Sequence, residues 1–167
     1  MTDTKTAAKF VISRTFNASL DRVWKVWTEP EQMAQWWGSK GFKSDVKTLD
    51  LKPGGTFHYR MLSPQGQEMW GRMLFREIVP KEKLVFINSF SDPQGGVTRH
   101  PLAPEWPLLM HTTISFTEAD GKTTVTVEWE PYEASEVECE TFDKGRDSMQ
   151  AGWTGTFEKL EGHLADT

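Results

Sequence analysis

The chain has one cysteine, no long apolar run, no cluster of cations and no closely spaced pair of histidines. Each absence excludes something. Cys139 alone cannot close an internal disulfide, which suits a reducing compartment, and a cytoplasmic location is expected. No stretch approaches the roughly 18 consecutive apolar residues of a membrane-spanning helix, so no membrane insertion is expected. The opening MTDTKTAAKF lacks an apolar core of signal-peptide length, so secretion is not expected either. The formal net charge is −5 and no Lys/Arg run or stripe exists. A phosphate backbone needs clustered cations, so nucleic acid is not an expected partner.

Motifs of catalysis and metal binding are missing as well. His58, His100, His111 and His163 form no H-x-x-x-H or H-E-x-x-H pair, and one cysteine cannot build a multi-cysteine site. Neither a metal nor a cofactor is expected. Gly54-Gly55 follows Pro53 and enters a strand, so it reads as a turn and not a phosphate cradle. Gly95-Gly96 lies in a loop. There is no G-x-S-x-G elbow and no Ser/His/Asp set at a suggestive spacing. The acidic run from Glu128 through Glu130, Glu133, Glu136, Glu138 and Glu140 reads as a solvated approach to a helix N-terminus. The four histidines are assigned to solvent-facing roles.

What is abundant is aromatic and soft. The 167 residues include 8 Trp, 10 Phe and 7 Met. That length fits one domain, 1–167, with a core over about 9–164. A first strand is predicted at Lys9–Phe16, with Phe10, Ile12 and Phe16 on one face. Ser19 then caps a short helix whose apolar stripe is Leu20, Val23, Trp24 and Trp27. A second short helix is capped by Thr28 with Glu31 in a capping box, carries Pro30 in its first turn, and ends at Trp36-Trp37-Gly38.

From Phe42 to Glu130 the chain reads as strands, and turn chemistry chooses their faces. Ser63-Pro64-Gln65-Gly66 suits a type I turn followed by a left-handed glycine. That pairs Ser63 with Gln67, and hence Met61 with Met69, Tyr59 with Gly71 and Phe57 with Met73. The other face pairs His58 with Arg72 and Arg60 with Trp70. Charge tolerates burial poorly, so the first set faces inward. A four-residue turn at Pro80–Lys83 continues the inward face to Phe86, Asn88 and Phe90. In a last hairpin, closed at Ala119-Asp120-Gly121, Met110, Thr112, Ile114 and Phe116 meet Val125, Val127 and Trp129.

A long helix closes the chain. Ser135 and Glu138 form its capping box, and Phe142, Met149, Trp153, Phe157, Leu160 and Leu164 form its buried stripe. A break is expected near Gly145, and Gly152 and Gly155 are expected to allow close approach of neighbours. The fold class is α+β.

The order strand, two short helices, antiparallel strands, long helix carries a resemblance. Phe16-Asn17-Ala18-Ser19-Leu20-Asp21-Arg22-Val23-Trp24, the Thr28-Glu29-Pro30 step and Trp36-Trp37-Gly38 resemble the N-terminal signature of the START-like (SRPBCC) superfamily. Within it the chain looks most like the group related to the activator of the Hsp-ninety chaperone ATPase, the AHSA family. Pro53-Gly54-Gly55, Glu77-Ile78-Val79-Pro80 before Leu84-Val85-Phe86, and Gly152-Trp153 near Leu160 match its later landmarks. The resemblance implies a helix-grip fold, with about six to seven strands curved around the long helix. It also implies a cavity between sheet and helix, of the kind in which relatives bind lipids, sterols, hormones or polyketides and a minority catalyse reactions on them. The chaperone-activating role belongs to a larger eukaryotic protein with an added N-terminal domain.

The expected ligand-binding set is Trp37, Tyr59, Met61, Met73, Phe75, Phe86, Asn88, Phe90, Met110, Thr112, Trp129, Met149 and Trp153. Pockets are mostly apolar and aromatic, and methionines adapt to irregular shapes. Asn88 and Thr112 are its polar marks. The loop Ser91–Pro107, rich in Pro and Gly, is a candidate lid, with Trp106 over the mouth. Three functions compete. The first is a binding protein for a small apolar ligand. The second is an interaction protein docking a chaperone, or a second copy of itself, on the outward row His58, Arg60, Trp70 and Arg72. The third is an enzyme on a polyketide-like or aromatic substrate, for which the inward set offers Tyr59 alone as a titratable group.

Overall fold

The computed structural model describes residues 9–38 and 41–165. Residues 1–8, which bear most of the signal-peptide reading, lie outside them. Strand β1 (Phe10–Phe16) leads through helix α1 (Leu20–Thr28) and helix α2 (Pro30–Trp36) to β2 (Lys43–Leu49) and β3 (Thr56–Leu62). Then come β4 (Glu68–Val79), β5 (Lys83–Ser91), β6 (Val97–Thr98), β7 (Met110–Ala119) and β8 (Lys122–Pro131). Helices α3 (Glu136–Lys144) and α4 (Arg146–Ala165) end the chain. The sheet is antiparallel, in the order β1-β8-β7-β5-β4-β3-β2, with β6 added beside β5. It is an α+β helix-grip arrangement of eight strands, one more than the upper expectation, because β6 forms inside a segment that reads as loop.

Local chemistry explains the elements. Ser19 accepts the Arg22 N–H and caps α1, which buries Val23, Val26 and Trp27. The cap of α2 differs from the expectation. Thr28 is still the last residue of α1, and its hydroxyl donates back to the Trp24 carbonyl at 2.7 Å. Glu29 therefore takes the N-cap position with no side-chain bond, and Pro30 supplies the preset first helical residue. Ser135 and Glu138 make the expected reciprocal capping box. The C-terminal helix breaks at Gly145, as expected.

The β3–β4 hairpin has the register that its turn dictates, with Tyr59 opposite Gly71 and Met61 opposite Met69, and Gly66 at φ 86°. The next reversal is one residue shorter than expected. Val79 pairs with Lys83 across Pro80-Lys81-Glu82, and Lys81 is left-handed at φ 64°. Alone, that shift would carry every β5 side chain to the opposite face. A bulge at Arg76 cancels it: Glu77 pairs with Val85, but Phe75 pairs with Phe86. Phe86, Asn88 and Phe90 thus face the same side as Tyr59 and Met73. In the β7–β8 hairpin, Thr112 meets Trp129, Ile114 meets Val127 and Phe116 meets Val125.

The core lies between the concave face and α4. One end is solid: Phe16, Ile114, Val125 and Val127 pack with Phe157 and Leu160, all at most 1 % exposed. The other end is where the pocket sits.

Candidate functional site: a pocket between sheet and helix

Toward the N-terminal half of α4 the packing opens into a pocket of about 600 Å³. The α4 stripe divides there. Phe157 and Leu160 fill the solid end, while Met149, Gly152, Trp153 and Thr156 line the pocket. Gly152 was expected to admit a close neighbour. Instead, a Cβ built on it meets nothing within 4 Å, so the helix backbone itself borders open space. The sheet side is Tyr59, Met61, Met73, Phe86, Asn88 and Phe90, with Met110 and Trp129 beyond.

Four polar side chains, Thr112, Asn88, Tyr59 and Trp129, mark the sheet wall. Thr112, fully buried, donates its hydroxyl to Asn88 Oδ1 at 2.6 Å. The Asn88 amide nitrogen makes no hydrogen bond among the described residues. Tyr59 lies across Gly71, and its ring stands edge-on to Trp37 at 5.9 Å. Burial pushes the Tyr59 phenol up from its ordinary range, opposed by a hydrogen bond from the Trp37 indole. The indole N–H of Trp129 is buried with no partner among the described residues.

The rim is built by the 91–109 segment and the α3–α4 junction. His100 lines the pocket against Phe90, ring centroids 4.5 Å apart, and its Nδ1 accepts the Leu102 N–H at 3.0 Å. That bond places the neutral ring's proton on Nε2, and burial lowers the His100 pKa. Trp106 sits 5.9 Å from the Phe142 ring, and a Cβ at Gly145 would stand 3.1 Å from it. Glu138 straps the segment down. Its Oε2 accepts from Arg99 Nη1 at 2.8 Å and from the Leu108 N–H at 2.9 Å, while Oε1 accepts from the Ser135 N–H at 2.8 Å. Burial works against its charge, but these bonds prevail and hold the Glu138 carboxyl down at about 2.

Of the thirteen residues singled out in the sequence, eleven border the pocket, together with Trp106. Phe75 and Thr112 lie buried behind it, Thr112 reaching it through Asn88. Sequence reasoning missed His100, Pro107, Thr141 and Lys144, which stand on irregular chain or on the polar flank of a helix. Trp70, read as purely outward, also borders it. The room expected beside Gly71 is taken up by the Tyr59 ring. Among the described residues the titratable groups at the pocket are therefore three and not one: Tyr59, His100 and the exposed Lys144.

The remaining histidines have partners. His58 stacks on Trp70 at 5.1 Å and bonds the Asp92 carbonyl, His111 stacks on Tyr132, and His163 bonds Gln32 Oε1. No group of three His, Cys, Asp or Glu is placed to hold a metal ion among the described residues. No helix among them is long and apolar enough to cross a membrane.

Solved structures share this architecture. A solution structure from Arthrobacter aurescens is 24% identical with a TM-score of 0.80, covering 99% of this chain and 94% of that one. Protein Ms6760 from Mycobacterium smegmatis is 22% identical with a TM-score of 0.76, covering 98% of both chains. One from Staphylococcus epidermidis is 24% identical, TM-score 0.73, over 99% and 94%. At such identities the likeness is one of fold. No curated protein matches the chain. The family described as "Activator of Hsp90 ATPase homolog 1-like protein" matches residues 17–165, nearly the whole helix grip. The chain belongs to that family.

Proposed function

We propose that this protein binds a small, largely apolar ligand in the pocket between sheet and α4. The observation that carries the reading is a pocket of about 600 Å³ walled by aromatic and methionine side chains, with few polar groups set into it. Ligand sites have this size and character. Gly152 contributes no side chain to fill the space, and a Cβ built there meets nothing within 4 Å. The Ser91–Pro107 segment, with Trp106 beside the rim, serves in this reading as the cover. Glu138 is its fastening.

Docking a chaperone on the outward row has less support. Arg60 is shared between Asp45 and Glu68, the Trp70 indole bonds Glu68, and His58 is stacked on Trp70. Most of those groups already have partners in one another, although Arg60 Nε is buried without one among the described residues. Catalysis has His100 in its favour, but no carboxylate lines the pocket among the described residues to form an acid–base pair with it.

The test is a melting-temperature and tryptophan-fluorescence screen with aromatic and acyl-chain compounds. A ligand held only by the folded state raises the melting temperature with its concentration. If no compound moves either signal, the reading fails.

A further inference from the structure

The hydrogen-bonding capacity of the sheet wall is lopsided. Its amide acceptor is committed: Asn88 Oδ1 takes the Thr112 hydroxyl, while the Tyr59 and Ser89 hydroxyls can give or take a hydrogen bond. On the adjoining rim, His100 Nδ1 takes the Leu102 N–H. The donors are not committed. Asn88 Nδ2, Trp129 Nε1, the Tyr59 hydroxyl and His100 Nε2 make no hydrogen bond among the described residues. The orientation of Asn88 follows from Thr112. Were the amide reversed, the fully buried Thr112 hydroxyl hydrogen would face a nitrogen and lose its acceptor. Lys144, the one Lys, Arg, Asp or Glu side chain bordering the pocket among the described residues, adds a cation at the rim. On the helix wall, Thr141 and Thr156 give their protons to the Val137 and to the Gly38 and Gly152 carbonyls.

We propose that the ligand is an aromatic carbonyl compound, a ketone, ester or carboxylate, whose oxygen is held against the sheet by Asn88 and Trp129. The inference rests on the ligand-binding reading and adds the chemistry of the ligand's polar end. A buried donor without a partner costs free energy that a hydrogen-bond acceptor recovers; a carbonyl brings lone pairs alone, whereas a hydroxyl or amine also brings a proton, and Asn88 Oδ1 is already engaged by Thr112. The aromatic body follows from the surrounding rings and methionines. The carbonyl follows from the donors.

Two probes of nearly equal shape separate the claims: 2-acetylnaphthalene, which carries the carbonyl, and 2-ethylnaphthalene, which does not. Dissociation constants are measured on the full chain, on Asn88→Leu and on Trp129→Phe. Loss of one or two hydrogen bonds to otherwise unpaired donors corresponds to roughly tenfold in affinity. The ketone is expected to bind about tenfold more tightly than the hydrocarbon, with the ratio falling toward one in both variants. Equal binding of the two probes to the unaltered protein overturns the carbonyl inference and leaves the pocket reading standing. A preference that survives both substitutions overturns the assignment to Asn88 and Trp129. Trp129→Phe keeps the ring and decides the point if Asn88→Leu does not fold. Binding of neither probe overturns the inference, and the pocket reading is then decided by the wider aromatic and acyl-chain screen.

Discussion

The ring of Tyr59 lies directly over the Cα of Gly71, its cross-strand partner. A methyl group on residue 71 would stand 2.4 Å from both Cζ and the hydroxyl oxygen. The contact fixes where the phenol goes: along the sheet floor of the pocket, edge-on to Trp37. Gly71→Ala drives the ring off that floor. The expected result is a loss of about 1–3 kcal/mol in denaturant unfolding, typical of overpacking. Most of it should be recovered in the double variant with Tyr59→Leu, which removes the clashing ring. An unchanged midpoint for Gly71→Ala would show that the ring does not hold this position.

Glu138 gives a pH signature. Its carboxyl is held at about 2 in the folded protein against an ordinary value of 4.5. A depressed carboxylate pKa means that the unfolded chain takes up the proton first. The stabilisation is thus complete above about pH 4.5 and is lost as pH falls toward 2. A shift of that size corresponds to about 3 kcal/mol. Glu138→Gln should be less stable at pH 7 and should lack this part of the acid dependence. Parallel stability curves for the two proteins between pH 5 and 2 would contradict the strap.

Gly152 is a helical glycine with open space beside it. Gly152→Ala should therefore stabilise the protein by about 0.5–1 kcal/mol through helix propensity. Gly152→Leu should narrow the pocket and weaken ligand binding while the fold persists. Thermal unfolding and probe titration on the same two variants measure both effects. A destabilised Gly152→Ala would mean that the helix is closed over at this point.

Thr112→Val removes the donor that fixes Asn88. The loss expected is about 1–2 kcal/mol, since Asn88 Oδ1 then sits in the wall without its partner. The amide is also released to turn over. The preference for a carbonyl probe should weaken even though residue 112 does not border the pocket. A preference unaffected by Thr112→Val would contradict the positioning role.

How much of this was legible in the sequence depended on the range of the cause. The β3–β4 register followed from Ser63-Pro64-Gln65-Gly66, because a tight turn sets its own pairing. The helix break followed from Gly145, and the capping box from Ser135 and Glu138. The bulge at Arg76 has no local signature: it exists because a three-residue turn had to be reconciled with a hydrophobic face several residues away. Glu138 looked like one more acid near a helix start. Its bonds to Arg99 and Leu108 join residues 39 and 30 positions apart, which no periodicity reports. His100 was invisible for the same reason. It stands in a segment of prolines and glycines, and only the folded chain brings it against Phe90. Val26 is buried in α1 although it fell outside the predicted stripe, because α1 is covered on two sides.

The tryptophans supply the most direct measurement. Five of the eight, Trp37, Trp70, Trp106, Trp129 and Trp153, border the pocket, while Trp24, Trp27 and Trp36 do not. Trp36 serves as an internal control, fully buried with its N–H bonded to the Val26 carbonyl at 2.9 Å. The measurement is a titration of the indole N–H resonances by heteronuclear NMR with 2-acetylnaphthalene. The expected result is saturable movement of the Trp129 and Trp153 signals, with Trp24, Trp27 and Trp36 unmoved. Shifts spread evenly over all the indoles, or confined to Trp24, Trp27 and Trp36, would contradict a ligand site between the sheet and α4.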